Sequence, residues 1–306
     1  MITHEKLQEF EIGLDPLHID RSKIPATVLG YGEISTVFQI NGDKSTACKR
    51  MPLFSDRSSA EKYAHNYEEY CQLLQRAGLT LPSDRTEIVE VPNRPVVFYI
   101  LQDQLPPDRF CNKLVHSLGS NEVEQMIERV VAEISKVWIF NESNVPSRKL
   151  AIDGQLSNWV FTWEVSDGDI HYIDTSTPLY RKNGTEQLDP ELFLKSAPSF
   201  LRWIIRWLFL QDVMNRYYDP RLVYTDLVAN LYKEQRSDLV PLAVEIVNRS
   251  LSGEIELLSV EEVEKYYKED KLIWMLFLVF RRMDRWIKTK LLRQRYEFIL
   301  PGKIKR

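Results

Sequence analysis

The chain has little with which to cross-link itself or to hold a metal through sulfur or imidazole. Its 306 residues include only three cysteines, Cys48, Cys71 and Cys111, widely spaced, odd in number and without a C-x-x-C pair. That excludes a disulfide framework and a zinc site of the usual spacing. The five histidines are scattered and no H-E-x-x-H occurs. Metal binding therefore has to rest on carboxylate and amide oxygens, which suit magnesium. Long apolar runs are missing too. The most apolar stretches, 200–210 and Leu272 to Phe280, fall far short of the roughly eighteen residues that span a bilayer. They read as core helices, with a basic amphipathic helix on an anionic surface as the alternative. Met1 to Pro16 has neither the basic n-region nor the apolar core of a secretory signal, so the expected location is cytoplasmic. No 20–50-residue repeat or low-complexity tract is visible.

What is present is ordinary globular material, 44% hydrophobic and 27% charged, enough for one large domain or two lobes. The net charge of −4 is unevenly spread. Residues 281–306 carry ten Lys or Arg against Asp284 and Glu297, a net +8 that leaves −12 for the rest. Such a tail fits a solvated helix or an anionic partner docked through residues 281–306. Neither an aromatic-interleaved RNA motif nor a DNA-binding helix pair accompanies it, which argues against nucleic acid.

From Ala26 to Arg50, β-branched and aromatic runs flank Asn41-Gly42, a strong hairpin signal. Ser58 to Arg76 has helical periodicity, with Gly78 as its stop. Ser83 to Leu101 reads as strands split by Pro92 and Pro95. The Pro-Pro loop at 106–107 marks a boundary, and 121–141 is periodic and helical. Short strands follow at Lys149–Ile152, Trp159–Val165 and Ile170–Asp174. Helices are expected over 197–218, 220–235, 239–251, 260–267 and 271–298. The expected class is α+β, with a β-rich part over 1–104, a helical part over 105–306, and a polar hairpin at 149–178 inside it.

The polar residues of this frame fall in a suggestive order. Gly30-x-Gly32-x-x-Ser35, between two strands, is a turn whose backbone N–H groups can approach phosphates without a Cβ in the way. Lys49 ends the next strand, where an ammonium can pair with phosphates if an acidic residue holds it. Glu68 on the following helix is the candidate, with Glu61 and Glu69 as alternatives. Asp153 and Asn158 bracket a polar loop, a base and an amide oxygen at D-x4-N spacing. Asp174 closes the strand after a hairpin, positioned for magnesium. Each piece alone also fits an ordinary turn or a solvated charge; the order and spacing together favour the site.

In these residues, over about Thr27 to Pro178, the chain resembles the protein-kinase-like superfamily, and in particular its small-molecule branch typified by aminoglycoside and choline phosphotransferases. The resemblance implies a two-lobed kinase-like fold with a β-rich N-lobe, one main helix and a helical C-lobe. It implies ATP and Mg2+ as cofactors. Gly30 and Gly32 would cover the phosphates, Lys49 would fix them with Glu68 as its partner, and Asp153 would be the catalytic base. Asn158 and Asp174 would hold the metal. Phe98 to Gln104 would form the hinge that meets adenine through Gln102 and Asp103. Five positions depart from the pattern: Ser35 replaces a glycine, Ala151 the usual His, Gln155 a phosphate-facing Lys, and Thr175-Ser176 a Phe-Gly pair. A short link, Thr175 to Leu188, with no Ala-Pro-Glu anchor unless Asp189-Pro190-Glu191 is a remnant, points to a small-molecule or lipid-like hydroxyl acceptor. Trp203, Trp207, Tyr217 and Tyr218 would line its pocket or simply pack. The departures keep open a pseudokinase-type module that binds a nucleotide or a partner.

Overall fold

Asn41 and Gly42 adopt left-handed φ angles of 52° and 70°, the conformations these two residue types tolerate best, and turn the chain between two strands. The structure, a computed structural model, describes residues 2–32, 34–189, 191–196, 214–251 and 255–302. Strands β1 (Ala26–Tyr31), β2 (Thr36–Ile40) and β3 (Thr46–Phe54) precede helix α2 (Arg57–Arg76), itself preceded near the start of the chain by helix α1 (His4–Gly13). The carboxylate of Asp56 caps α2 by accepting from the Ser59 N–H at 2.8 Å, and Gly78, at φ 93°, follows its end. Strands β4 (Asp84–Val89) and β5 (Val96–Asp103) complete a five-stranded antiparallel sheet in the order β1-β2-β3-β5-β4.

Both faces of this sheet are covered, which is why β3 and β5 are buried almost without alternation. Leu7 and Phe10 of α1 pack on one face with Phe38, Cys48 and Tyr99. On the other, Tyr63, Tyr67 and Leu74 of α2 pack with Met51, Phe98 and Ile100, in a cluster that continues into the helical part of the chain. Helix α1 was not foreseen: its burial depends on a sheet that follows it in the chain.

Beyond residue 104 come α3 (Cys111–Ser117), α4 (Ser120–Asn144), β6 (Arg148–Leu150), β7 (Trp159–Phe161) and β8 (Ile170–Tyr172). They are followed by β9 (Tyr180–Lys182), β10 (Thr185–Glu186), α5 (Glu191–Ser196), α6 (Pro220–Lys233), α7 (Val240–Ser250) and α8 (Val260–Trp286). Strands β7 and β8 pair with each other, and β10-β9-β6 form a small sheet. The chain is α+β. No helix among the described residues is long and apolar enough to cross a membrane.

Two expectations are corrected. The link after Asp174 folds a hairpin: Lys182 pairs with Thr185 across Asn183 and Gly184, at φ 50° and 79°. This is the same Asn-Gly turn chemistry as at residues 41–42. The basic helix expected over 271–298 instead starts at Val260 and ends at Trp286, followed by a single π-helical stretch over Ile287–Leu291. The chain then turns at Arg293, φ 53°, and runs back to bury Tyr296, Ile299 and Leu300. Burying those apolar groups, and pairing Glu297 with Arg50 and Arg94, favours leaving the helix. The helix expected over 197–218 falls outside the described residues from 197 to 213, as do Trp203 and Trp207.

Candidate active site

A cleft of about 620 Å³ lies between the sheet edge formed by β1–β3 and the helices α6 and α8. Gly30, Gly32, Lys49, Gln102, Asp103, Asp153, Asn158 and Asp174 all line it. Residues chosen from 145 positions of sequence are thus brought to one cavity, with a single exception, Glu68.

The β7–β8 register explains how two of them meet. Trp159 pairs with Tyr172, so Asn158 and Ile173 come next at the open end, where the Ile173 N–H donates to the Asn158 carbonyl at 3.0 Å. Asn158 and Asp174 are therefore delivered to the same end of one hairpin. The Asn158 amide nitrogen donates to the Asp153 carbonyl at 3.1 Å, which leaves the amide oxygen for a ligand. Ser176 donates to Asp174 Oδ1 at 2.9 Å.

Asp153 is seated by its neighbour. A Cβ on Gly154 would come within 2.9 Å of Val223 Cγ1 and 3.0 Å of Ile134 Cδ1, so only glycine lets the loop settle against α4 and α6. The Gln155 N–H donates to Asp153 Oδ1 at 3.1 Å. Burial, with the carboxylates of Asp226 and Asp174 nearby, pushes the Asp153 carboxyl well above its ordinary range.

Lys49 is only 6% exposed, and its ammonium donates to the Ile173 carbonyl. Burial lowers its pKa, and the charge of Asp174 works against that shift. No carboxylate of α2 is its partner. Glu68 lies on the exposed face of the helix, Glu61 pairs with Arg57 at 2.9 Å, and Glu69 pairs with Arg148 at 2.8 Å. The inward face of α2 is occupied by tyrosines. Tyr70 donates to the Ala151 carbonyl at 3.0 Å, Tyr63 to the Ser176 carbonyl, and Tyr67 lies 3.3 Å from Thr175 Oγ1. Glu68 follows Tyr67 by one residue, about 100° further round the helix, and so points away from the cleft.

The glycine turn is closed by its own backbone: the Gly32 N–H donates to the Ser35 carbonyl at 3.0 Å, and a Cβ on Gly32 would meet Ser35 Oγ at 2.7 Å. At the end of β5, the N–H groups of Asp103 and Gln104 donate to Ser83 and Ser45 carbonyls, both at 2.9 Å. Gln104, which also lines the cleft, has its buried Oε1 without a hydrogen-bond partner. That atom is an acceptor suited to an exocyclic amino group.

The opposite wall was missed. Helix α6 presents Asp226, Asn230 and Lys233 to the cleft, and α8 adds Asp270 and Trp274. Spacings of four and three put the α6 residues on one stripe of a helix otherwise largely buried. A polar stripe of that kind was the available signal. Tyr266 donates to Asp226 Oδ1 at 3.0 Å, and the Lys233 ammonium to Gln155 Oε1 at 3.1 Å. Tyr217 lines the cleft, whereas Tyr218 donates to Glu186 at 2.8 Å outside it.

Among the described residues no three His, Cys, Asp or Glu side chains converge as a metal cage. One carboxylate and one amide oxygen at the hairpin end fit magnesium, which keeps several waters and takes phosphate oxygens besides its protein ligands. Among the described residues of the basic tail, four are engaged within the chain. Arg281 is buried, Arg282 donates to the Gly302 carbonyl at 2.8 Å, Lys288 pairs with Asp284 at 3.1 Å, and Arg295 with Glu297 at 2.9 Å.

The architecture is thus that of an α+β protein with a polar cleft at the junction of a sheet and a helical region. The chain belongs to the Family of unknown function (DUF6206), whose model matches residues 19–285. No curated protein matches it. Among solved structures it is similar to WaaP in complex with acyl carrier protein, at 12% identity and a TM-score of 0.34, over 69% of this chain and 89% of that one. It is also similar to WbdD, at 13% identity and a TM-score of 0.36, over 79% of this chain but only 50% of that one.

Proposed function

We propose that the chain is an ATP- and Mg2+-dependent phosphotransferase of two-lobed, kinase-like fold that acts on a hydroxyl of a small-molecule or lipid-like acceptor. In this reading residues 1–104 form the N-lobe and 105–306 the C-lobe. The observation that carries it is the β7–β8 register, which brings Asn158 and Asp174 to the same end of one hairpin, with the Asn158 amide bonded to the Asp153 carbonyl. Magnesium, when bound, would offset the charge of the phosphate oxygens. Asn158 and Asp174 would hold it through oxygen. Asp153, its pKa raised, would orient the acceptor hydroxyl and take its proton. Lys49, fixed by the Ile173 carbonyl and facing Asp174, would hold the phosphates. Gln102 to Gln104 would receive the base. Positioning and charge compensation would supply most of the rate.

Binding of MgATP, read as a thermal shift, is the test. Asp174→Asn is expected to abolish the magnesium-dependent shift, and Asp153→Asn to keep it while lowering turnover about 10²–10⁴-fold. A wild-type chain that neither shifts with MgATP nor hydrolyses it removes the proposal.

One observation favours a second reading. Lys49 takes no carboxylate from α2, which fits a pseudokinase-type module that binds a nucleotide or a partner without transfer. MgATP binding that survives in Asp153→Asn, with no turnover in the wild type, would select it. A third use, docking of residues 281–306 on an anionic surface, loses support from the internal partners of Arg282, Lys288 and Arg295.

A further inference from the structure

Lys233 enters the cleft at the last turn of α6 and reaches Gln155, two residues beyond Asp153. Its hydrogen-bond partner is a neutral amide at 3.1 Å, which aims the ammonium without cancelling its charge. The field of that charge is felt at Asp153 and at Asp226, where it opposes the upward push of burial. The cleft lining carries five carboxyl groups, Asp103, Asp153, Asp174, Asp226 and Asp270, for three ammonium groups, Lys49, Lys113 and Lys233. A polyphosphate can settle there only beside the cations. Lys49 stands on the sheet side by Asp174, and Lys233 on the helix side by Asp153, so the two ammonium groups bracket the hairpin end from opposite walls. Lys113 is exposed at the rim.

We propose that Lys233 is the catalytic cation that touches the transferred phosphoryl group, with Gln155 as the positioning residue that holds it. This rests on the phosphotransferase reading. In the step itself, a lone pair of the acceptor oxygen forms a bond to the γ-phosphorus. The bond from that phosphorus to the β,γ-bridging oxygen breaks, and its electron pair leaves on ADP. The hydroxyl proton passes to Asp153. With water as acceptor the same balance yields ADP and inorganic phosphate. Lys233 offsets the charge on the γ-phosphoryl oxygens, a role that the β- and α-phosphates of ADP do not call on.

The test compares MgATP and MgADP affinities and the rate of MgATP hydrolysis in the wild type, Lys233→Met, Lys233→Arg and the double variant Lys233→Met/Gln155→Lys. Lys233→Met is expected to lower kcat about 10²–10³-fold and to raise KM for MgATP, in line with the loss of one preorganised charge. It should also erase the preference for MgATP over MgADP. Lys233→Arg should keep that preference, and adding Gln155→Lys to Lys233→Met, which returns an ammonium to the neighbourhood of the present Lys233–Gln155 contact, should restore at least about tenfold of the rate. Equal loss of both nucleotides, or an unchanged kcat in Lys233→Met, overturns the assignment of Lys233 and leaves the phosphotransferase reading standing. Binding of neither nucleotide by the wild type overturns that reading and the assignment with it. Binding without hydrolysis leaves the ATP-against-ADP comparison to decide for or against Lys233.

Discussion

Lys49 is buried to 6% exposure with a backbone carbonyl, not a helix carboxylate, against its ammonium. Its compensating charge is Asp174, so one aspartate serves both the lysine and the proposed metal position. Glu68 has no part in this. Glu68→Gln is expected to leave MgATP affinity within about twofold and unfolding free energy within about 0.5 kcal/mol, as for other surface substitutions away from special features. A titration with MgATP and a urea unfolding curve check both, and a tenfold loss of affinity would restore the helix-carboxylate role. Lys49, Asp153, Asn158 and Asp174 were legible because their polar character interrupts strands at definite spacing. Glu68 was not separable from Glu61 and Glu69, since acidic residues on a helix differ in role only through the direction they point.

Helix α2 contacts the segments that line the cleft through hydroxyl groups. Tyr63, Tyr67 and Tyr70 recur at spacings of four and three, and reach the stretches that carry Asp153 and Asp174. Tyr70→Phe would leave the buried Ala151 carbonyl short of a donor, at a cost of about 1–3 kcal/mol. The expected result is a lower urea midpoint with unchanged m-value, together with reduced turnover from a looser Asp153 loop. No change in stability would show that water replaces the hydroxyl. Most elements followed from periodicity and turn chemistry, and even the hairpin at Asn183-Gly184 carried a readable signal. The end of α8 did not, because a basic helical pattern continues past Trp286 in sequence while the chain is drawn off by distant partners.

On the scale of the whole molecule, segments near the two ends of the described chain meet at Arg50 of β3 and at Arg94 in the turn before β5. Glu11 of α1 and Glu297 of the tail share Arg50 and Arg94, with Arg50 Nε 2.5 Å from Glu11 and Arg94 Nη2 2.7 Å from it. Burial opposes ionisation of Glu11 and Glu297, but the two arginines outweigh it and hold both carboxyls below their ordinary value of 4.5. A depressed folded pKa means that this stabilisation is complete above about pH 4.5 and is lost as pH falls through the lowered values. Glu297→Gln is therefore expected to cost about 1.5–3 kcal/mol at neutral pH and to flatten the acid limb of thermal stability. Equal acid limbs in variant and wild type would place the pH dependence elsewhere. Arg50 follows Lys49 on β3, so the same cluster anchors the strand that presents the cleft lysine. The α+β class, most of the order of strands and helices, and the polar residues on the sheet and hairpin side of the cleft were written locally, in alternation, periodicity and turn residues, because those patterns act over a few neighbours. Which face of α2 turns inward, the α6 wall with Lys233, and the return of the tail onto Arg50 were decided only by the tertiary structure. They depend on burial and charge compensation between segments up to 247 residues apart.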